Sequence, residues 1–261
     1  MTENSRVLAF LILHTGRPYL RYAIESIIDQ VDRLIIFYSA NPSQGFQTDI
    51  PCPDTDLELL AEVNAACPGE KAKKVLWVDG EWPNEQEHID AVWKHAEGFD
   101  WIWRLDADEV SPPGIVAEMI SQAEATTARA FRVPFVHFWR SFSRVCRDSS
   151  HPFRLQRVNS GDGEAYLDSK QGQWEVFHFG YAQTTRYVQY KMGVSGHRPE
   201  WRPCWFREKW LANAQTDVHP VIWPTHWMPE DFDKNRLPEI MRKHPYWDMA
   251  VIDDPCNVVE D

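Results

Sequence analysis

The run Trp101-Ile102-Trp103-Arg104-Leu105-Asp106-Ala107-Asp108-Glu109 carries more information than any other stretch of the chain. Apart from Arg104 its first half is apolar, as in a strand buried on both faces, and it then turns abruptly acidic. In an open α/β sheet ligands bind outside the carboxyl ends of the strands, so Asp106 falls where a ligand would sit. Two carboxylates two residues apart, Asp106 and Asp108, can hold a hard divalent cation while that cation bridges phosphate oxygens. The competing reading is structural: Asp108 and Glu109 merely lead into a helix opened by Ser111-Pro112 and running to about Glu124.

Toward the N-terminus the same alternation of strand and helix repeats. Val7 to Leu13 and Arg33 to Tyr38 read as buried strands, and between them Leu20, Ala23, Ile24, Ile27 and Ile28 recur at helical spacing over Tyr19 to Gln30. A helix over Asp54 to Ala66 stops at Cys67-Pro68-Gly69, and a third strand covers Lys74 to Val78. Asn84 caps the next helix, with Glu87 placed to reach back to the capping backbone. A strand from Ala128 to Phe135 closes the series. This order predicts an α/β fold with a mostly parallel, Rossmann-like sheet covered on both faces. Beyond residue 135 the periodicity gives way to Pro, Gly and aromatic residues, and six of the 13 tryptophans lie after residue 200, for which core or lid packing is the plain reading. The expected division is a nucleotide-binding half at 1–135 and an irregular, aromatic-rich substrate half at 136–261 within one globule.

At 261 residues, 43% hydrophobic and 25% charged, the chain can bury one large core. No apolar run is long enough to span a bilayer and the first ten residues lack a signal-peptide pattern, which points to the cytoplasm. Five scattered cysteines, Cys52, Cys67, Cys146, Cys204 and Cys256, suggest neither a disulfide framework nor a thiolate zinc site. The net charge of -12 opposes nonspecific binding to nucleic acid or anionic membrane. Against that background, Arg129, Arg132, Arg140, Arg144, Arg147, Arg154 and Arg157 face a single acid, Asp148, in one short stretch. Such an island is either a solvated face or the seat of an anionic donor phosphate or polyanionic acceptor.

The stretch from Val7 to Glu124 resembles family 2 glycosyltransferases, with "LDADEV" similar to their DxD motif and "HFGY" (His178 to Tyr181) similar to their downstream histidine segment. The resemblance implies an A-type glycosyltransferase fold in which Asp106 or Asp108, or both, with His178 as a third metal ligand, bind Mn²⁺ or Mg²⁺ against the diphosphate of a nucleotide sugar, a UDP-sugar first among them. Thr15 and Asp79, after the first and third strands, become further donor contacts. The chain departs from the family pattern at Tyr38-Ser39-Ala40-Asn41, where acids are common, and at His88 and Asp90, where Arg and Asn are common. Transfer with inversion, also implied by the resemblance, needs a carboxylate base. Asp162, Glu164, Asp168 and Glu175 lie in the right region, and distance from His178 favours Asp168 and Glu164. The acceptor stays open among saccharide, lipid-linked glycan and modified nucleic acid. Two other readings compete. "LDADEV" with "AVIDD" (Ala250 to Asp254) also fits a haloacid-dehalogenase-type phosphatase, although that nucleophile strand normally comes near the start of its domain. The other is a noncatalytic nucleotide-sugar-binding protein.

Overall fold

The computed structural model describes residues 5–43, 45–147, 151–221 and 226–253. Four strands, β1 (Val7–Leu13), β2 (Arg33–Tyr38), β3 (Val75–Asp79) and β4 (Trp101–Leu105), lie parallel in the order β3-β2-β1-β4. The sheet continues beyond β4 through β9 (Phe153–Arg157), β6 (Ala130–Arg132) and β10 (Glu164–Tyr166), with β9 antiparallel to both of its neighbours. This is the expected mostly parallel α/β sheet, and its seven strands come from both sides of residue 135.

Alternation along β1 explains why both faces are covered. Val7, Ala9, Leu11 and Leu13 pack under α1 (Arg17–Ile27), α2 (Asp56–Ala66) and α4 (Ile115–Glu124), while Leu8 and Phe10 face Ala91, Val92 and Ala96 just after α3 (Glu85–Asp90). Helix α4 starts later than Ser111-Pro112 suggested, because Gly114, at φ +84°, turns the chain into it. The strand expected over Ala128 to Phe135 is divided at Pro134, which has no N–H to give to a ladder.

That division starts a second sheet the sequence did not announce. β7 (Phe135–Trp139) pairs with β8 (Arg144–Cys146) and β11 (Val176–Tyr181), and the order is β12 (Glu230–Asp231), β8, β7, β11, β5 (Glu109–Val110). Because β5 is the continuation of the acidic turn, the second sheet is bolted to the end of β4. Its register sets His178 opposite Glu109 on one side and His137 on the other. Aromatic packing fills the space behind: Trp139, Trp205, Trp210 and Trp227 form one buried cluster, in keeping with core packing for the late tryptophans, and Trp223 lies outside the described residues.

Candidate functional site

A cleft of about 220 Å³ opens at the carboxyl ends of β1 and β4. One wall is the loop after β1, His14-Thr15-Gly16; the floor is Asp106-Ala107-Asp108; His178 of β11 and helix α5 (Thr185–Val194) close the other side. Close approach of the two loops depends on Gly16. At φ +133° it has a backbone that other residues rarely adopt, and a Cβ there would stand 2.6 Å from that of Ala107.

The acidic turn is braced from behind. Glu109, fully buried, is paired with the guanidinium of Arg154, whose Nη2 also donates to Asp106 Oδ2 at 2.7 Å. Arg104 Nε donates to the other oxygen of Asp106 at 3.2 Å. Burial opposes ionisation of Asp106, yet the two guanidinium groups outweigh it and hold the carboxyl below the usual carboxylate range. Glu109 shares Arg154 but suffers complete burial, which pushes it up to about 7.

Asp108 is differently placed. Its Oδ1 lies 3.6 Å from His178 Nε2 and its Oδ2 3.3 Å from Lys191 Nζ. His178 is kept neutral, first by burial and then by the nearby Lys191 charge, while its Nδ1 shares a hydrogen bond of 2.9 Å with His137 Nδ1. Gly180 makes the convergence possible: a Cβ at that position would stand 2.5 Å from both His178 Nε2 and Lys191 Nζ. The space so left lies between the neutral His178 imidazole and the Lys191 ammonium, both within reach of Asp108; of these groups the carboxylate and the imidazole are the donor types that suit Mn²⁺ or Mg²⁺. Among the described residues no group of three His, Cys, Asp or Glu side chains is arranged to hold a metal. Both oxygens of Asp106 accept from arginines, whereas Asp108 and His178 face one another. Asp108 and His178 are the side chains here that could supply donors to a cation.

Other expected residues are distributed unevenly. Thr15 lines the cleft, its hydroxyl donating to Asp54 at 2.7 Å. Asp79 does not line it; at the end of β3 it accepts from Trp77 Nε1 at 3.0 Å. The two acids expected as the base lie outside the cleft lining. Glu164 sits on β10 at the far edge of the sheet facing Arg132, and Asp168 lies exposed on the next loop, accepting from the Lys170 amide. Neither is brought to the cleft, because the short β10 leads their segment along the outside of the seven-stranded sheet. Glu175 is buried between Arg147 and Arg236, and His88, buried at the cleft wall, has both nitrogens bonded, to Ser43 and to the Phe37 carbonyl.

The arginine island is dispersed. Arg132, Arg144 and Arg147 pair with acids, Arg140 and Arg157 bond carbonyl oxygens, Arg129 stacks on Trp93, and Arg154 reaches the acidic turn. Successive strands of two sheets carry these residues in different directions, so they make no single cationic face; Asp148 lies outside the described residues. The phosphatase reading needed Asp253 and Asp254 beside Asp106. Asp253 instead lies 3.6 Å from Arg140 and outside the cleft lining, and Asp254 is not among the described residues. Among the described residues Cys52, Cys67, Cys146 and Cys204 form no disulfide, while Cys256 is outside the described residues.

Sequence reasoning missed three contributors. Tyr187 and Lys191 come to the cleft on one face of α5, a four-residue spacing readable only had the helix been recognised there. Asp54 is the third: rather than starting α2, it accepts from the Gly16 and Arg17 amides at 2.7 and 3.0 Å and from the Tyr187 hydroxyl. It therefore ties α5 to the start of α1.

No protein-family model matches the chain, and no curated protein matches it. Among solved structures it is similar to S. aureus TarS at 9% identity and a TM-score of 0.38, over 59% of this chain and 28% of that one. For TarS 1-349 the values are 7% and 0.42, over 70% and 62% of the two chains. For TarS 1-349 in complex with UDP they are 9% and 0.36, over 51% and 36%. The chain thus spans less than two thirds of each of these structures. Among the described residues no helix is long and apolar enough to cross a membrane.

Proposed function

We propose that the cleft binds a nucleoside diphosphate sugar with a divalent cation and transfers the sugar, with inversion, to a hydroxyl acceptor. The observation that carries the reading is the meeting of Asp108 and His178, 3.6 Å apart, at the carboxyl end of a parallel strand. In this reading Asp108 Oδ1 and His178 Nε2 hold Mn²⁺ or Mg²⁺. The chemistry such a cation supplies when bound is neutralisation of the charge that develops on the departing diphosphate.

The protein's own groups have distinct tasks. Asp106, kept ionised by Arg104 and Arg154, fixes the acidic turn so that Asp108 faces the cleft. His178 serves as a ligand because it is neutral; donation from its Nδ1–H to His137 leaves the Nε2 lone pair directed at the cleft. Gln183 lines the cleft with a buried amide oxygen that has no partner among the described residues, an acceptor suited to a ligand hydroxyl. With Glu164 and Asp168 outside the cleft lining, Asp106 held by two arginines and Asp108 given to the cation, Glu85 is the lining carboxylate left to take the proton of the acceptor hydroxyl, and the displacement is a single in-line step.

A thermal-shift panel of nucleoside diphosphates and nucleotide sugars, each with and without Mn²⁺, tests this, since a ligand of the native state raises the melting temperature. The expected result is stabilisation by at least one nucleoside diphosphate, UDP first, that requires the metal. Indifference to every nucleotide in the presence of metal overturns the reading.

A further inference from the structure

Lys191 has no part in the functions assigned above, yet its ammonium stands in the middle of the site. Nζ lies 3.3 Å from Asp108 Oδ2 and 5.2 Å from the centre of the Tyr181 ring, and 33% of the side-chain surface remains open. An ammonium therefore sits beside the same carboxylate and imidazole that are proposed to hold a divalent cation. Two cations beside one carboxylate repel, so each weakens the other's hold on Asp108.

The lysine is nevertheless built to move. Its helix is fixed one turn earlier, where Tyr187 bonds Asp54, so α5 need not shift when the side chain does. A lysine stem has free rotation along four carbons, and the ammonium has three N–H donors. A diphosphate entering this end of the cleft brings several oxyanions within its sweep.

We propose that Lys191 is an exchangeable counter-ion: it pairs with Asp108 before ligand arrives, gives that carboxylate up to the metal, and moves its ammonium to the diphosphate oxygens of the nucleotide. The proposal rests on the reading of the cleft as a nucleoside diphosphate site. It has a signature that a merely structural lysine lacks. Removing the charge relieves competition for the metal and at the same time deletes a contact to the diphosphate, so the two affinities move in opposite directions.

The test uses the full chain and its Lys191→Met and Lys191→Arg variants. Binding of Mn²⁺ alone is read from the paramagnetic resonance signal of the free ion, and binding of UDP at saturating Mn²⁺ by calorimetry. Loss of one charge-assisted contact predicts Mn²⁺ binding about tenfold tighter and UDP binding about tenfold weaker in Lys191→Met. Lys191→Arg should restore the wild-type order of both. Lys191→Gln, closer in polarity, replaces Lys191→Met if that variant does not unfold cooperatively. Both affinities unchanged, or both weakened together, overturns the exchange. Should the wild type bind Mn²⁺ but not UDP, the functional reading falls and the Mn²⁺ arm still decides whether Lys191 competes for Asp108. Binding of neither overturns both.

Discussion

Arg154 lies between two carboxylates, Asp106 and Glu109, and its side chain is 6% exposed. Neither acid was marked in the sequence as its partner, because the arginine is 45 residues from Glu109 and reaches it only when β9 pairs with β4. Glu109→Ala removes one of the two carboxylates that hold the buried guanidinium and leaves Asp106 as its partner, so it should lower stability by about 1.5–3 kcal/mol in denaturant unfolding, the range for hydrogen bonds to a charged group. A loss below about 1 kcal/mol, the value of an exposed pair, would show that Arg154 finds water when Glu109 is gone. At this scale the acidic turn itself was legible, since a strand that ends in acids is a local pattern. His178 was marked only by resemblance, and Gly180 was not singled out at all. Their value comes from register, with His178 opposite Glu109 across a sheet formed by distant segments.

Among the elements, α2 shows how local chemistry defines a boundary. Thr55 accepts from the Glu58 amide at 3.3 Å and Glu58 accepts from the Thr55 amide at 2.9 Å, a reciprocal cap that starts the helix at Asp56. Thr55→Ala should therefore cost about 1 kcal/mol of stability, measured by chemical unfolding, and no change would mean the cap is idle. Asp54, one residue earlier, looked like part of that helix because it is an acid at a helix start. It instead serves the amides at the start of α1, a tertiary use that no pattern around residue 54 reveals. The four parallel strands were readable for the opposite reason: long apolar runs separated by helical periodicity determine their own type. The strands of the second sheet are two to six residues long and broken by Pro and Gly, too short for a period to emerge.

For the whole molecule, pH is a direct probe of how the two layers are packed. His88, wedged between β2 and the cleft, and His244, under α1 on the Pro18 carbonyl, are both pushed down by burial to about 4. Their native state keeps them neutral, whereas the unfolded chain takes up protons below its usual histidine value of about 6.5. Stability from these groups is thus complete above that pH and is lost as pH falls toward 4, at up to about 1.4 kcal/mol per pH unit for each. Melting temperatures should decline through this window, and replacement of His244 by Gln should flatten the decline; a flat wild-type profile would contradict the burial argument. The fold as a whole brings Asp108 and His178 together, and that pair carries the functional proposal. Its most direct test is a calorimetric titration of UDP into the wild type and Asp108→Asn, each with Mn²⁺ and with a chelator. The account predicts binding by the wild type with Mn²⁺ and at least tenfold weaker binding when either the carboxylate or the metal is removed, with both proteins equally folded. Equal affinity in all four titrations, or no affinity in the wild type with metal, would contradict it.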